Sequence, residues 1–176
     1  MKYWITTIFF LLNSCSTFHK TNPSISFSDV EQIQFGKMTR VELEKQFGKP
    51  TEVVTISTKV TGLIYDEDDG SGLVQRAGFN VDNNTNLVTG VLWIPSNNES
   101  LSHVDEAKKH FSNAHFIMRK HKQDDIHENV ETVDLTDARL GISLGIYTAK
   151  QRVDTISLGL PIESKRIPAV SSKTSL

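Results

Sequence analysis

A pattern that recurs at an offset of about 65 residues constrains this chain more than any other feature. LVTGVLWIP (87–95) and VDTISLGLP (153–161) share Thr, Leu and Pro in register, and ELEKQF (42–47) is echoed by EAKKHF (106–111). Self-similarity at a fixed period marks a supersecondary unit used twice. In this chain each unit reads as a helix followed by strands.

The first unit has the better local signals. Thr39-Arg40-Val41-Glu42 has the form of a capping box, in which the Thr39 hydroxyl and the Glu42 carboxylate each take a backbone N–H of the other residue. Met38 and Leu43 stand at the two positions of a hydrophobic staple, and Leu43 and Phe47 share a helix face. Gly48 supplies a left-handed stop, and Pro50 prevents the helix from resuming. A turn or two of helix is expected before it, over 28–35.

Three strands are predicted next, over 51–60, 73–81 and 87–94, with a polar turn at Asp82-Asn83-Asn84-Thr85-Asn86. In the second unit Ser100 or Ser102 is expected to cap a helix carrying Val104, Ala107, Phe111 and Ala114 on one side. Strand signals follow at 116–120 and 131–135. Clean alternation then appears in Ile142, Leu144, Ile146 and again in Ile156, Leu158, Leu160. The predicted class is α+β: two tandem α-β-β-β units with helices packed on one face of an antiparallel sheet. The predicted divisions are 1–14, 15–27, 28–95, 96–161 and a C-terminal tail at 162–176.

The opening MKYWITTIFFLLNSCS has the plan of an export signal: Lys2 as a positive start, then about ten apolar and hydroxyl residues, too few to span a bilayer. Leu12-Asn13-Ser14-Cys15 resembles the lipobox of bacterial lipoproteins, in which the cysteine is acylated and becomes the new N-terminus. That resemblance implies lipidation, including palmitate-type acylation, at Cys15. Two or more acyl chains anchor a protein stably where one binds only marginally. Ser16 stands where inner-membrane lipoproteins carry Asp, so the resemblance implies a periplasm-facing lipoprotein of the outer membrane. Residues 15–27 read as a polar tether. Cys15 is the only cysteine in the chain, so disulfides, a Cys nucleophile and thiolate metal sites are all excluded beyond it.

The charge balance, 19 Lys+Arg against 21 Asp+Glu, provides no basic footprint for nucleic acid. Asp66-Glu67-Asp68-Asp69-Gly70-Ser71-Gly72 looks like a calcium loop, but Gly comes one residue early and Ala77 stands where the bidentate Glu belongs. It reads as an acidic hairpin loop. His103, His110, His115, His121 and His127 cluster in sequence without a His-Glu-x-x-His pattern, so surface histidines are the simpler reading and no metal is assigned. There is no G-x-S-x-G elbow and no phosphate-binding glycine motif. No catalytic residue and no cofactor is therefore assigned, and a non-enzymatic role is expected.

Ile33-Gln34-Phe35-Gly36-Lys37-Met38-Thr39, then Leu43 and Phe47-Gly48-Lys49-Pro50, resembles the signature of SmpA/OmlA-type outer-membrane lipoproteins. Lys37 is an extra residue inside the G-M-T stretch, and Phe47 replaces the usual Leu. The doubled arrangement is similar to that of β-lactamase-inhibitor-type (BLIP-like) proteins. Both resemblances imply protein binding: a part in outer-membrane protein assembly or envelope maintenance, or inhibition of a periplasmic or foreign enzyme. A cell-wall hydrolase is the enzymatic alternative. Another envelope protein is the expected partner, alongside the membrane reached through the lipid. If Leu92 and Ile94 face the helices, Trp93 faces outward, and Tyr65 and Tyr147 join it in an aromatic patch for that partner.

Overall fold

The computed structural model describes residues 25–68, 73–125 and 128–161. Cys15, the export signal, most of the tether, the tail at 162–176 and the glycine-containing part of the acidic loop (69–72) lie outside the described residues. So does His127.

Two short helices open the fold, α1 (Phe27–Glu31) and α2 (Arg40–Phe47). Each starts in a capping box. Ser26 and Asp29 cap α1, with the Ser26 N–H donating to Asp29 Oδ2 at 3.0 Å. Thr39 and Glu42 cap α2, with the Thr39 N–H donating to Glu42 Oε2 at 2.8 Å. Both carboxyls are held below the usual range. The Ser26 hydroxyl is the main cause for Asp29, and the Thr39 N–H is the main cause for Glu42. Gly48, at φ 83°, ends α2 in a conformation that suits glycine.

Strands β1 (Glu52–Thr55), β2 (Val60–Asp68), β3 (Leu73–Asp82) and β4 (Val88–Trp93) follow as an antiparallel meander. A 3-10 turn at Ser100–Ser102 then leads into α3 (Val104–His110), and β5 (Ile117–Asp125), β6 (Glu128–Asp137), β7 (Ile142–Tyr147) and β8 (Arg152–Gly159) complete the chain. Strand β8 pairs with β4, so the sheet runs β1-β2-β3-β4-β8-β7-β6-β5 without a break.

This architecture corrects the expected tandem α-β-β-β units with a helical layer. The dominant element is one continuous eight-stranded antiparallel sheet, and α1, α2 and α3 hold only 5, 8 and 7 residues. Each half supplies four strands, where three are predicted in the first half. The missed strand is β2: Gly62 and the acidic run at its end disguise it as loop. The Ser102 cap is also corrected. Its hydroxyl donates to the Glu99 carbonyl at 2.7 Å, and the N-cap position of α3 falls to His103, which makes no side-chain cap bond.

In antiparallel pairs, residues directly opposite share a face. The register therefore traces one buried row across the sheet: Tyr65, Ala77, Trp93, Ile156, Leu144 and Leu135. Phe27, Val30, Leu43, Phe47 and Ala107 from the short helices join this core. Among the described residues, no helix is long and apolar enough to cross a membrane.

Candidate functional site

Pleating that turns one row into the core turns the next to the opposite face. The opposite face carries Ile64, Gly78, Leu92, Ser157, Ser143 and Thr136 in register. Beside it runs a second row, Gly62, Asn80, Gly90 and Gly159. Small side chains along both rows leave a depression of about 520 Å³ over the β4–β8 seam, bordered by Leu160 and Ala138. None of the short helices contributes to its lining.

The glycines at the seam serve a close approach of strands. A methyl group at Gly90 would come 3.0 Å from the Leu158 carbonyl oxygen, and one at Gly159 would come 3.1 Å from that of Thr89. The Leu160 N–H donates to the Thr89 carbonyl at 3.0 Å, which extends the seam by one bond. Farther along, the Thr136 and Ser143 hydroxyls are hydrogen-bonded to each other at 3.1 Å.

The depression is lined by hydroxyls, an Asn amide, glycine backbone and branched apolar groups, with no ionisable side chain. Such a lining can take apolar side chains and exchange neutral hydrogen bonds. The strongest electrostatic feature nearby is structural. Buried Asp137, at the end of β6, accepts from Arg139 Nη2 at 2.8 Å, from the His115 N–H at 2.7 Å and from the Arg139 N–H at 3.0 Å. These bonds, that of the Arg139 side chain foremost, hold the Asp137 carboxyl far below the usual range.

The aromatic residues singled out in the sequence lie elsewhere. Trp93 is 0% exposed and Tyr65 2%, both on the core face, whereas Tyr147 is half-buried and opposite Arg152 and Thr132 on the other face. The outward-facing Trp93 is thus corrected. A bulge in the β3–β4 pairing at Asn80/Val81 lets Val88, Val91 and Trp93 all point into the core, which turns Leu92 outward. Trp93 packs between Phe27, at 6.0 Å, and the Arg76 guanidinium, 4.3 Å from its ring centroid. The Tyr65 hydroxyl donates to the Gly48 carbonyl at 3.2 Å, and its pKa is pushed up to about 12, mainly by burial and secondarily by Glu44.

Among the described residues the histidines are dispersed. His110 Nε2 lies 2.6 Å from Glu31 Oε1, and the backbone of His115 serves Asp137. Among the described residues, no three His, Cys, Asp or Glu side chains are grouped to hold a metal. Leu92 was expected to face the helices, and Ser143 and Ser157 escaped the sequence reading. Their signal was the alternation of small residues in Gly141-Ile142-Ser143-Leu144-Gly145 and in Ser157-Leu158-Gly159, which marks a strand face without bulky side chains.

No family model matches the chain, and no curated protein matches it. Among solved structures, a cysteine-rich secretory protein from Staphylococcus aureus subsp. aureus Mu50 is similar over 66% of this chain and 41% of its own, at 12% identity and a TM-score of 0.37. The chain thus spans about two-fifths of the length of that structure.

Proposed function

We propose that this chain is an outer-membrane lipoprotein, anchored through Cys15 and facing the periplasm, whose domain is a protein-binding module. The observation that carries the binding reading is the open depression over the β4–β8 seam, apolar at Leu92, Ile142, Leu158 and Leu160 and supplied with neutral hydrogen-bonding groups by Asn80, Thr136, Ser143 and Ser157. A concave surface of this kind suits an extended protein segment, because it rewards apolar contact while satisfying backbone polar groups. The lipobox-like Leu12-Asn13-Ser14-Cys15 supports the anchor. The SmpA/OmlA-like stretch at 33–50 supports a role in outer-membrane protein assembly or envelope maintenance.

A photo-cross-linking residue at Ser143, in cells making the lipidated protein, tests the module. A discrete protein adduct is expected there, with none from the same probe at exposed Gln46 on α2. Ser157→Trp, which fills the depression, should abolish the adduct without unfolding the domain. An adduct indifferent to Ser157→Trp would refute the binding site. The anchor is tested separately: Cys15→Ser should end palmitate labelling and release the protein from membranes, and continued outer-membrane fractionation would refute it.

A further inference from the structure

The two edges of the sheet differ in how they are guarded. Exposed strand edges are templates for further pairing, and native proteins blunt them with charges, especially Lys. Edge strand β5 opens with exposed Ile117 and Met118, but exposed Arg119 and Lys120 follow them directly. At the other edge all four residues of β1 are exposed, and the chain has no Lys or Arg from Thr51 to Thr58. Val53 is 50% exposed, Val54 36% and Ile56 58%. Among the described residues β1 pairs with β2 alone, so the backbone groups on its other side are left without a strand partner there.

We propose that β1 is a self-pairing edge, which a second copy of this chain meets with its own β1 in antiparallel fashion. A twofold axis through Thr55 sets Val54 of each copy opposite Ile56 of the other. Both side chains lie on the open face: Val54 is opposite Gly62 in β2, and Ile56 reaches across the same glycine. Two β-branched pairs therefore form by symmetry. The same register sets Glu52, the only charge of β1, opposite Thr58 of the second copy and one residue from its Lys59, so the ends are complementary in charge.

The pairing is self-limiting. Pro50 has no N–H to extend it at one end, and at the other the chain turns back through the Ser57 N–H bond to the Val60 carbonyl at 3.1 Å. Because the twofold contact uses the β1 edge of both copies, it closes as a dimer, and Arg119 and Lys120 disfavour further pairing at β5. Its short length puts it in the weak, concentration-dependent class. This inference stands on the edge and is independent of the groove reading above.

Sedimentation equilibrium of the full chain carrying Cys15→Ser tests the proposal, with circular dichroism checking the fold of each variant. A monomer–dimer equilibrium is expected. Ile56→Lys enters the interface twice by symmetry and should weaken it about tenfold or more. Glu52→Lys should also weaken it, and adding Lys59→Glu should restore it. Thr55→Cys in the same background should form an intermolecular disulfide on mild oxidation, whereas Met118→Cys on the β5 edge should not. A monomer at every concentration overturns the proposal. So does a dimer indifferent to Ile56→Lys, failure of the charge swap to rescue, or equal trapping at Met118→Cys.

Discussion

The two halves of the sheet contribute four strands each, yet they are stabilised by different means. In the first half both helices start in reciprocal capping boxes, and three buried rings interlock. Phe47 stacks on Phe79 at 5.8 Å, and Tyr65 meets Phe79 edge-on at 5.6 Å. In the second half α3 starts without a side-chain cap, and among the described residues the sheet contributes aliphatic groups alone to the core: Val133, Leu135, Leu144, Ile146, Val153 and Ile156. Strand formation therefore does not depend on strong helix signals. Hydrogen-bonded register carries the sheet across the seam, while helix caps and aromatic packing concentrate stability on one side of it.

The largest test of this asymmetry is truncation on either side. Phe79 is fully buried and touches two other rings, so Phe79→Ala should cost about 3–5 kcal/mol in a urea unfolding series. Leu144→Ala should cost about 2–3 kcal/mol, the lower part of the range for buried leucines, because its neighbours Leu135 and Ile146 retain some exposure and can close the gap. Equal losses would show a single core with no favoured half.

The seam itself comes next. Gly90→Ala pushes a methyl group against the Leu158 carbonyl in a neighbouring backbone, which cannot rotate away as a side chain can. A cost of about 1–3 kcal/mol is expected, as for other overpacked sites. Hydrogen exchange should show the loss of protection centred on β4 and β8. Loss confined to β4 would mean that the halves hold together without the close approach.

A pH test isolates the second half. The Asp137 carboxyl titrates far below an unfolded aspartate, whose pKa is about 3.9. A depressed folded value contributes stability that is fully present above the unfolded pKa and is lost as pH falls toward the folded one. Acid should therefore loosen the β6 end and the His115 segment before the aromatic half. Asp137→Asn should flatten stability against pH below about pH 4, the range set by that unfolded value. An unchanged acid limb would remove Asp137 as its cause.

How far these contrasts were legible in the sequence depended on the range of the interaction. The Thr39–Glu42 box and the Gly48 stop are set by residues within one or two helical turns, and both form as the residue types require. The inward turn of Trp93 was not legible. It depends on a bulge defined by pairing with β3, and a one-residue slip of parity moves a side chain to the other face. Joining of β4 to β8 has no local signature either, since it pairs Gly90 with Gly159 across most of a half-chain. The depression was invisible for the same reason: its parts are ordinary small residues until the register aligns Leu92, Ser157, Ser143 and Thr136.

The smallest expected effect tests whether the halves differ because one lacks a cap. His103 has the extended backbone of an N-cap, at φ −94° and ψ 128°, but its side chain makes no cap bond. Asp at that position could accept from the N–H groups of Asp105 or Glu106 and would place negative charge at the helix start. His103→Asp should therefore stabilise the domain by about 0.5–1 kcal/mol, a gain opposite in sign to the loss of about 1 kcal/mol expected for Thr39→Ala. Asp105 and Glu106 already lie in the first turn, so their repulsion sets an upper bound on the gain. His103→Ser supplies the cap bond without the charge and separates the two contributions. If neither variant shifts the urea midpoint, α3 is held by Ala107 and its packing alone, and the asymmetry lies in the core rather than in the caps.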